Sequence, residues 1–512
     1  MLVASVGAAT AVELELIPKT FADEPKAGRL SFGSLEPLAG MMQETPADKQ
    51  LPILIEKLKS GTTLHELVAA GALANARQFG GQDYVGWHTF MALAPAFEMS
   101  KELPAERQAL PVLKVLYRNA QTMQRTGGPK NEVLKPVAAR SPSDGRSASQ
   151  ALRDAVWDKD TAAAESTLAA LASSNPDDAF EALQPIVDDS IFPDADGVHC
   201  SVLAWRALAT LDLTGKEHAA TLLRQSLRYC LNVERRTANG VSPSIRNVLP
   251  RLIDRYKLAT RPAGTRQPDD AWVEKFAQTL GSSNRDQAAD AVAAALADGI
   301  APDAVGQAIA LAANALLLAD TGRPSPTGTA GTQFMKGEKS VHGDSAGVHA
   351  SDAVNAWRNI ARVSNPRNAA ASLIVATYVA NAGVGNNSRV GKDLYPLADH
   401  LEGVKSKDPA TLVREVEEAI RANDQIRVCA AVHRYGQLDQ SPRPILDVLL
   451  KYAVSEDGAL HAEKYYKTAT EEFSAMRPAF RWRQLVALAR VTASEYGQPA
   501  PGYGEACELL KV

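Results

Sequence analysis

The chain is poor in cysteine, in histidine and in long apolar runs, and each scarcity excludes a class of protein. Cys200, Cys230, Cys429 and Cys507 are the only cysteines in 512 residues, and no two of them form a CxxC pair. A zinc ribbon, a thioredoxin-type motif and a disulfide framework are thereby set aside. No apolar run reaches the roughly 18 to 20 residues of a membrane-spanning helix, so no transmembrane segment is expected. A formal charge of −4 gives no sign of a nucleic-acid surface, and no nucleic-acid partner is expected. Nucleotide signatures are also missing. There is no GxxxxGK[ST], and Gly383-Val384-Gly385 runs into asparagines rather than completing a dinucleotide fingerprint. Any NADPH would have to be held by helices or supplied by a partner.

What is present is the composition of a globular protein, 45% hydrophobic and 22% charged, in a chain long enough to bury a large core. The first eleven residues, Met1 to Ala11, are small and apolar, and Ala9-Thr10-Ala11 resembles a signal-peptidase site. The basic n-region of a secretory signal is missing. An ordinary N-terminal segment of a cytoplasmic protein and the remnant of an export signal both fit this text. Residues 12–50 contain strand-like, proline-punctuated stretches (VELELIP, RLSFGS) and read as part of an irregular lead-in spanning 1–50.

From Leu51 onward apolar residues recur three and four apart, separated by short Pro, Gly, Asn and Asp breaks, and period-two patterns are almost absent. The expected fold is all-α, a multi-helical repeat array of about four units of three or more helices each. Unit one spans 51–140, unit two 151–262, unit three 272–396 with a Gly/Ser/Thr-rich insertion at 321–345, and unit four 411–500. Unit two reads as helices over Ala151–Ser173 and Ala179–Val187, broken at Asn175-Pro176-Asp177. Unit three reads as Asp286–Ala297 and Ala304–Ala319. Unit four reads as Leu412–Arg434 and Ile445–Ala453, broken at Ser441-Pro442. Unit one, the loosest member, has a helix over Leu64–Arg77. Thr62, Asp177, Asp303 and Ser441 are expected at or near N-caps, where a side-chain oxygen can satisfy free helix N–H groups. Such units stack or close around a centre, because none buries its apolar face alone.

Four of the nine histidines follow a glycine near an expected helix start: Gly86-Trp87-His88, Gly197-Val198-His199, Gly347-Val348-His349 and Gly458-Ala459-Leu460-His461. His88 and His199 are 111 residues apart and His349 and His461 are 112 apart, while the middle gap of 150 holds the insertion. A histidine in the first turn lies near the positive end of the helix dipole, which favours the neutral imidazole that ligates a metal or accepts a proton. If the four rings converge, His88, His199, His349 and His461 form a metal site suited to zinc, iron or copper. Asp83, Asp189, Asp344, Asp352 and Glu463 lie near them in sequence and are the carboxylates a non-haem iron site would draw on. The alternative is that each histidine packs or caps its own helix.

Other clusters carry chemistry of their own. Ser340 to Asp352, closing the insertion, joins His342, Asp344 and His349, so His342 and Asp344 can act as an acid/base pair with His349 behind them. His199 is the further catalytic candidate. Gly343-Asp344-Ser345-Ala346-Gly347 matches the letters of a GxSxG nucleophile elbow, but no buried strand precedes it, as that motif demands. The Gly80–His88 turn, with Tyr84 and Trp87, suits either a flat ligand or docked helices. Tyr465 and Tyr466 fall about one turn after His461. Arg477, Arg481, Trp482 and Arg483 form a basic face that would receive a phosphate or carboxylate, or else bridge helices.

The stretches Gly197–His199, Gly347–His349, Ala459–Tyr465 and Arg481–Ala489 resemble the questin oxidase-like family, in short motifs scattered over roughly residues 60–500. The resemblance implies a helical protein with histidines at similar helix starts. It also implies a Baeyer–Villiger-type or related ring-opening oxidation of polyketide anthraquinones. His88, His199, His349 and His461 would then line the cavity. The functional expectation is an oxidoreductase acting on an organic small molecule, aromatic if the resemblance extends to substrate, in a histidine-lined cavity, with a transition metal (Fe or Zn) or NADPH as cofactor. A metal-dependent or metal-binding protein, and a helical-repeat scaffold for partners, are the alternatives.

Overall fold

The computed structural model describes residues 28–142, 145–191, 198–237, 244–322, 341, 345–381, 391 and 393–512. Among these residues the chain is all-α. It forms 23 α-helices with no strand, and its only β pairing is two isolated bridges, Arg266 with Ile300 and Glu456 with Pro499. None of these helices is long and apolar enough to cross a membrane.

Helix boundaries follow local chemistry more finely than periodicity does. The expected Ala151–Ser173 helix is two, Ala148–Trp157 and Thr161–Ser174, because Lys159 turns left-handed (φ 61°) and Asp160 caps the second through Ala163 N–H. Leu412–Arg434 likewise divides into Pro409–Arg421 and Gln425–Gly436, with Asn423 left-handed (φ 56°) and Asp424 capping Arg427 N–H. Asparagine and aspartate tolerate and cap such breaks, which apolar spacing does not register. The caps themselves move by a residue or two. Thr63, not Thr62, forms a capping box with Glu66. Asn175, not Asp177, caps Pro176–Asp189. Asp303 lies in the first turn of Pro302–Leu318 and pairs with Arg358 and Arg362. Ser441 stands just outside Arg443–Ser455 and accepts from Arg443 N–H at 3.3 Å. Nor does the lead-in stay irregular. RLSFGS runs into a 3₁₀ turn at Gly33–Leu35, and helices follow at Glu36–Glu44 and Ala47–Lys59. Phe32 is buried there beneath the Arg77 guanidinium. The remainder of the expected lead-in, residues 1–27, lies outside the described residues.

Buried apolar side chains form one continuous cluster from Phe32 to Ala506, so the four expected units share a core. At its centre four helices carry the spaced histidines: Tyr84–Ser100, His199–Thr214, Ala346–Val363 and His461–Ala475. The His88 helix packs on the His199 and His461 helices, and the His349 helix packs on the same two. The four thus close into a ring in which the first expected unit meets the last.

Polar contacts hold that closure. Lys114, on Ala109–Arg125, pairs with Glu463 at 2.8 Å, with side chains 1% and 0% exposed. It also donates to the carbonyls of Ala453 at 2.8 Å and Glu456 at 2.5 Å. One turn on, Arg118 pairs with Asp457. The glycines before the histidines permit close approach. A Cβ on Gly347 would lie 2.5 Å from the Leu317 backbone, and one on Gly86 would lie 2.5 Å from the Phe79 ring.

Candidate metal centre

Side chains on a helix lean toward its N-terminus, so a histidine in the first turn places its ring over the helix start. His199 and His461 are the first residues of their helices, His349 is the fourth and His88 the fifth. Because the four helices meet near those starts, the rings converge. Consecutive imidazole centroids are 4.9 Å (His88–His199), 5.1 Å (His199–His349), 4.9 Å (His349–His461) and 5.1 Å (His461–His88) apart. One ligating nitrogen from each lies within 4.8 Å of the others, and Nε2 of His349 and of His461 are 3.3 Å apart. All four residues are buried, at most 5% exposed.

Two tautomers are set by the backbone. His88 Nδ1 lies 2.7 Å from the Tyr84 carbonyl and His349 Nδ1 lies 3.0 Å from the Ser345 carbonyl. A carbonyl can only accept, so Nδ1 carries the proton in both rings, and Nε2 keeps its lone pair as a metal ligand's must. His88 Nε2 is buried with no hydrogen bond among the described residues. Burial is the first cause holding His88 well below its ordinary range, and the Lys464 charge and the neighbouring imidazoles add to it. Trp87 stacks on His88 (centroids 4.3 Å, 26°) and meets His199 edge-on at 4.5 Å. Tyr84 lies 4.3 Å from the His88 ring.

No carboxylate or thiolate joins the four nitrogens among the described residues. Asp83 caps Gly86 N–H and pairs with Arg125, Asp189 pairs with Arg153, and Glu463 is taken by Lys114. Asp352 is buried one turn inside His349. Asp344 and His342, the expected acid/base pair, lie outside the described residues, as does Gly343 of the GxSxG text, while Ser345 of that text precedes the Ala346–Val363 helix and its hydroxyl donates to Asp320 at 3.2 Å. The Arg477–Arg483 face bridges helices. Arg477 pairs with Asp270 at 3.0 Å, Arg483 pairs with Glu274 at 2.7 Å, and Arg481 lies over Phe473. Tyr465 and Tyr466 are both buried. Buried Cys230 and Cys429 are pushed up to about 12, which leaves them protonated packing groups.

Sequence reasoning passed over two side chains beside this centre, Lys464 and Arg206, each buried (2% and 5% exposed). In the sequence Lys464 stands only within the Ala459–Tyr465 motif, and nothing local distinguishes Arg206. A basic residue within a helix usually marks a solvated face. The available signal was register, since Lys464 is three residues after His461 and Arg206 is seven after His199, on the histidine-bearing side.

A comparison with known protein families, curated proteins and solved structures finds no match to the chain.

Proposed function

We propose that the chain is a metalloprotein in which His88, His199, His349 and His461 hold one transition-metal ion, and that this centre serves an oxidoreductase acting on a small organic molecule. The observation that carries the metal reading is the convergence of four buried imidazoles with ligating nitrogens within 4.8 Å of one another. Two nitrogens bound tetrahedrally at about 2.0–2.1 Å stand roughly 3.3–3.4 Å apart, and the His349–His461 pair is at 3.3 Å. A tetrahedral ion would require the wider pairs, up to 4.8 Å apart, to close by about 1.4 Å, whereas opposite ligands of a square-planar ion stand about 4.2 Å apart and require less. An all-imidazole set suits zinc, copper, iron or nickel. The carbonyls of Tyr84 and Ser345 would orient His88 and His349 toward the ion.

The oxidoreductase reading draws on the questin oxidase-like motifs and on the aromatic wall of Tyr84 and Trp87 beside His88. A redox-active ion would supply electron transfer or activation of an oxidant. The chain's own part is to exclude bulk water and fix the rings. Elemental analysis of the purified protein, with titration of the stripped protein by zinc, iron(II) and copper(II), tests the metal reading. One equivalent is expected, and stripped protein with no affinity for any of the three refutes it. Oxygen uptake with NADPH and a hydroxyanthraquinone tests the oxidase reading.

A further inference from the structure

His349 reaches the centre from a helix whose start has no local side-chain cap. Ser345 precedes the Ala346–Val363 helix, and its hydroxyl satisfies none of that helix's N–H groups. In the His88 helix, by contrast, Asp83 caps Gly86 N–H at 2.8 Å. The Ser345 hydroxyl donates instead to Asp320 Oδ2 at 3.2 Å, a contact between residues 25 apart in the chain. Both residues are buried, 0% and 4% exposed. In the sequence they bracket the Gly/Ser/Thr-rich stretch that follows the Pro302–Leu318 helix. Bringing the ends of so long a connection together costs chain entropy, so a specific bond at its base has a register to fix.

Asp320 is itself held from two sides. Its Oδ1 accepts from Gly322 N–H at 2.8 Å, and its carbonyl accepts from Arg490 at 2.6 Å. Arg490, 2% exposed, also donates to the Leu317 and Leu318 carbonyls at 2.6 and 3.1 Å. Its guanidinium lies 4.1 Å over the Tyr395 ring. One side chain of the Pro478–Glu495 helix thus fastens the end of Pro302–Leu318 and the turn that carries Asp320. On the far side of the contact, the Ser345 carbonyl accepts from His349 twice, from its backbone N–H at 3.2 Å and from Nδ1–H at 3.0 Å. Hydrogen bonds therefore connect Arg490, Asp320, Ser345 and His349 in turn. They end at a ring whose Nε2 stands 3.3 Å from that of His461.

We propose that Asp320 is a positioning residue of the centre: through the Ser345 hydroxyl it holds the Ser345 carbonyl where that carbonyl fixes the His349 ring and keeps its proton on Nδ1. The proposal rests on the metal reading for its functional meaning, while the hydrogen bonds themselves exist without an ion. Asp320 is not one of the four ligands. A carboxylate behind a ligating histidine often accepts directly from its second ring nitrogen. Here the carboxylate acts one residue removed, on the peptide group that does the accepting. The other side of the ring needs no such device, because the Tyr84 carbonyl that orients His88 lies in a turn already capped by Asp83.

Asp320→Ala, Ser345→Ala and Asp320→Asn in the full chain test this, by zinc titration and by nitrogen NMR of stripped protein labelled at histidine. Asp320→Ala and Ser345→Ala should each weaken zinc by about 10- to 100-fold, the usual loss when a partner behind a ligand is removed. Asp320→Asn should restore most of that affinity, because its amide oxygen still accepts from the Ser345 hydroxyl. It also covers the case in which an alanine variant does not fold. In the stripped wild type the His349 signal, assigned by its loss in His349→Ala, should show one tautomer, protonated on Nδ1. The two alanine variants should show a mixture, and Asp320→Asn should not. A single, unchanged tautomer in both alanine variants overturns the proposal whether or not metal binds, and so does full zinc affinity in both. A tautomer that depends on Asp320 in a protein that takes up no zinc would leave the positioning role standing and remove the metal reading instead.

Discussion

Lys114→Met should damage this protein more than any exposed charge substitution, because it opens the contact that closes the helix ring. In the intact chain Lys114 Nζ meets Glu463 at 2.8 Å with both side chains at most 1% exposed, and it caps two backbone carbonyls. Methionine matches the volume of lysine but leaves the Glu463 carboxylate buried and unpaired. Breaking one partner of a buried pair costs about 3–5 kcal/mol. Each orphaned carbonyl adds about 1 kcal/mol or more. The expected loss is therefore at least about 5 kcal/mol, read from urea unfolding followed by far-UV circular dichroism and tryptophan fluorescence. Lys114→Met with Glu463→Gln should recover roughly half, since the charge is gone while the carbonyls remain uncapped. A single-variant loss below about 1 kcal/mol would refute the reasoning, as would a double variant no more stable than the single one. His461 lies two residues from Glu463, so the single variant should also weaken metal uptake.

Other expectations follow from the same geometry. His199→Ala and His349→Ala should each abolish stoichiometric metal while moving the melting temperature of the stripped protein by only a few degrees; a large drop for both would make these histidines packing residues. Saturating metal at 1,000 times its dissociation constant should stabilise the wild type by about 4 kcal/mol, measured by calorimetry against the stripped protein. Asp188 is fully buried, neither oxygen makes a hydrogen bond among the described residues, and burial, with Asp189 adding to it, lifts its pKa well above 3.8. A raised folded-state value means the favourable contribution is present below pH 3.8 and is lost as pH rises through the folded value. Asp188→Asn should therefore stabilise the protein at pH 7 and flatten its unfolding profile above pH 4, measured by urea unfolding at both pH values. Gly347→Ala should cost about 1–3 kcal/mol by overpacking and reduce metal affinity, whereas Gly504→Ala, with nothing within 4 Å of the added carbon, should do neither.

The all-α architecture and the meeting of the four histidines were legible because both rest on long-range regularity. Helical spacing repeats over hundreds of residues, and the outer histidine pairs are 111 and 112 residues apart. The less legible features depend on single residues. Lys159 and Asn423 each end a helix by turning left-handed, and nothing in the apolar pattern around them changes. RLSFGS alternates like a strand, yet among the described residues no neighbouring strand exists to pair with it, and Phe32 is buried among helices instead. Carboxylates near the histidines in sequence were drawn elsewhere in space: Asp83 to Arg125, Asp189 to Arg153, Glu463 to Lys114. Proximity along the chain says little about direction once a nearby cation competes. Lys464 and Arg206 escaped notice for the opposite reason, since burial of a cation is a tertiary fact.

The ring's four helices come from widely separated parts of the chain, and its last member begins at His461. No stretch containing only one or two of them can assemble the set. A growing polypeptide therefore exposes its imidazoles singly, as weak and exchangeable ligands, until the His461 helix docks against the His88 helix. Metal capture would thus report on the completion of folding. An ion arriving early would find nowhere to stay, and one arriving late would fasten the first helix of the ring to the last.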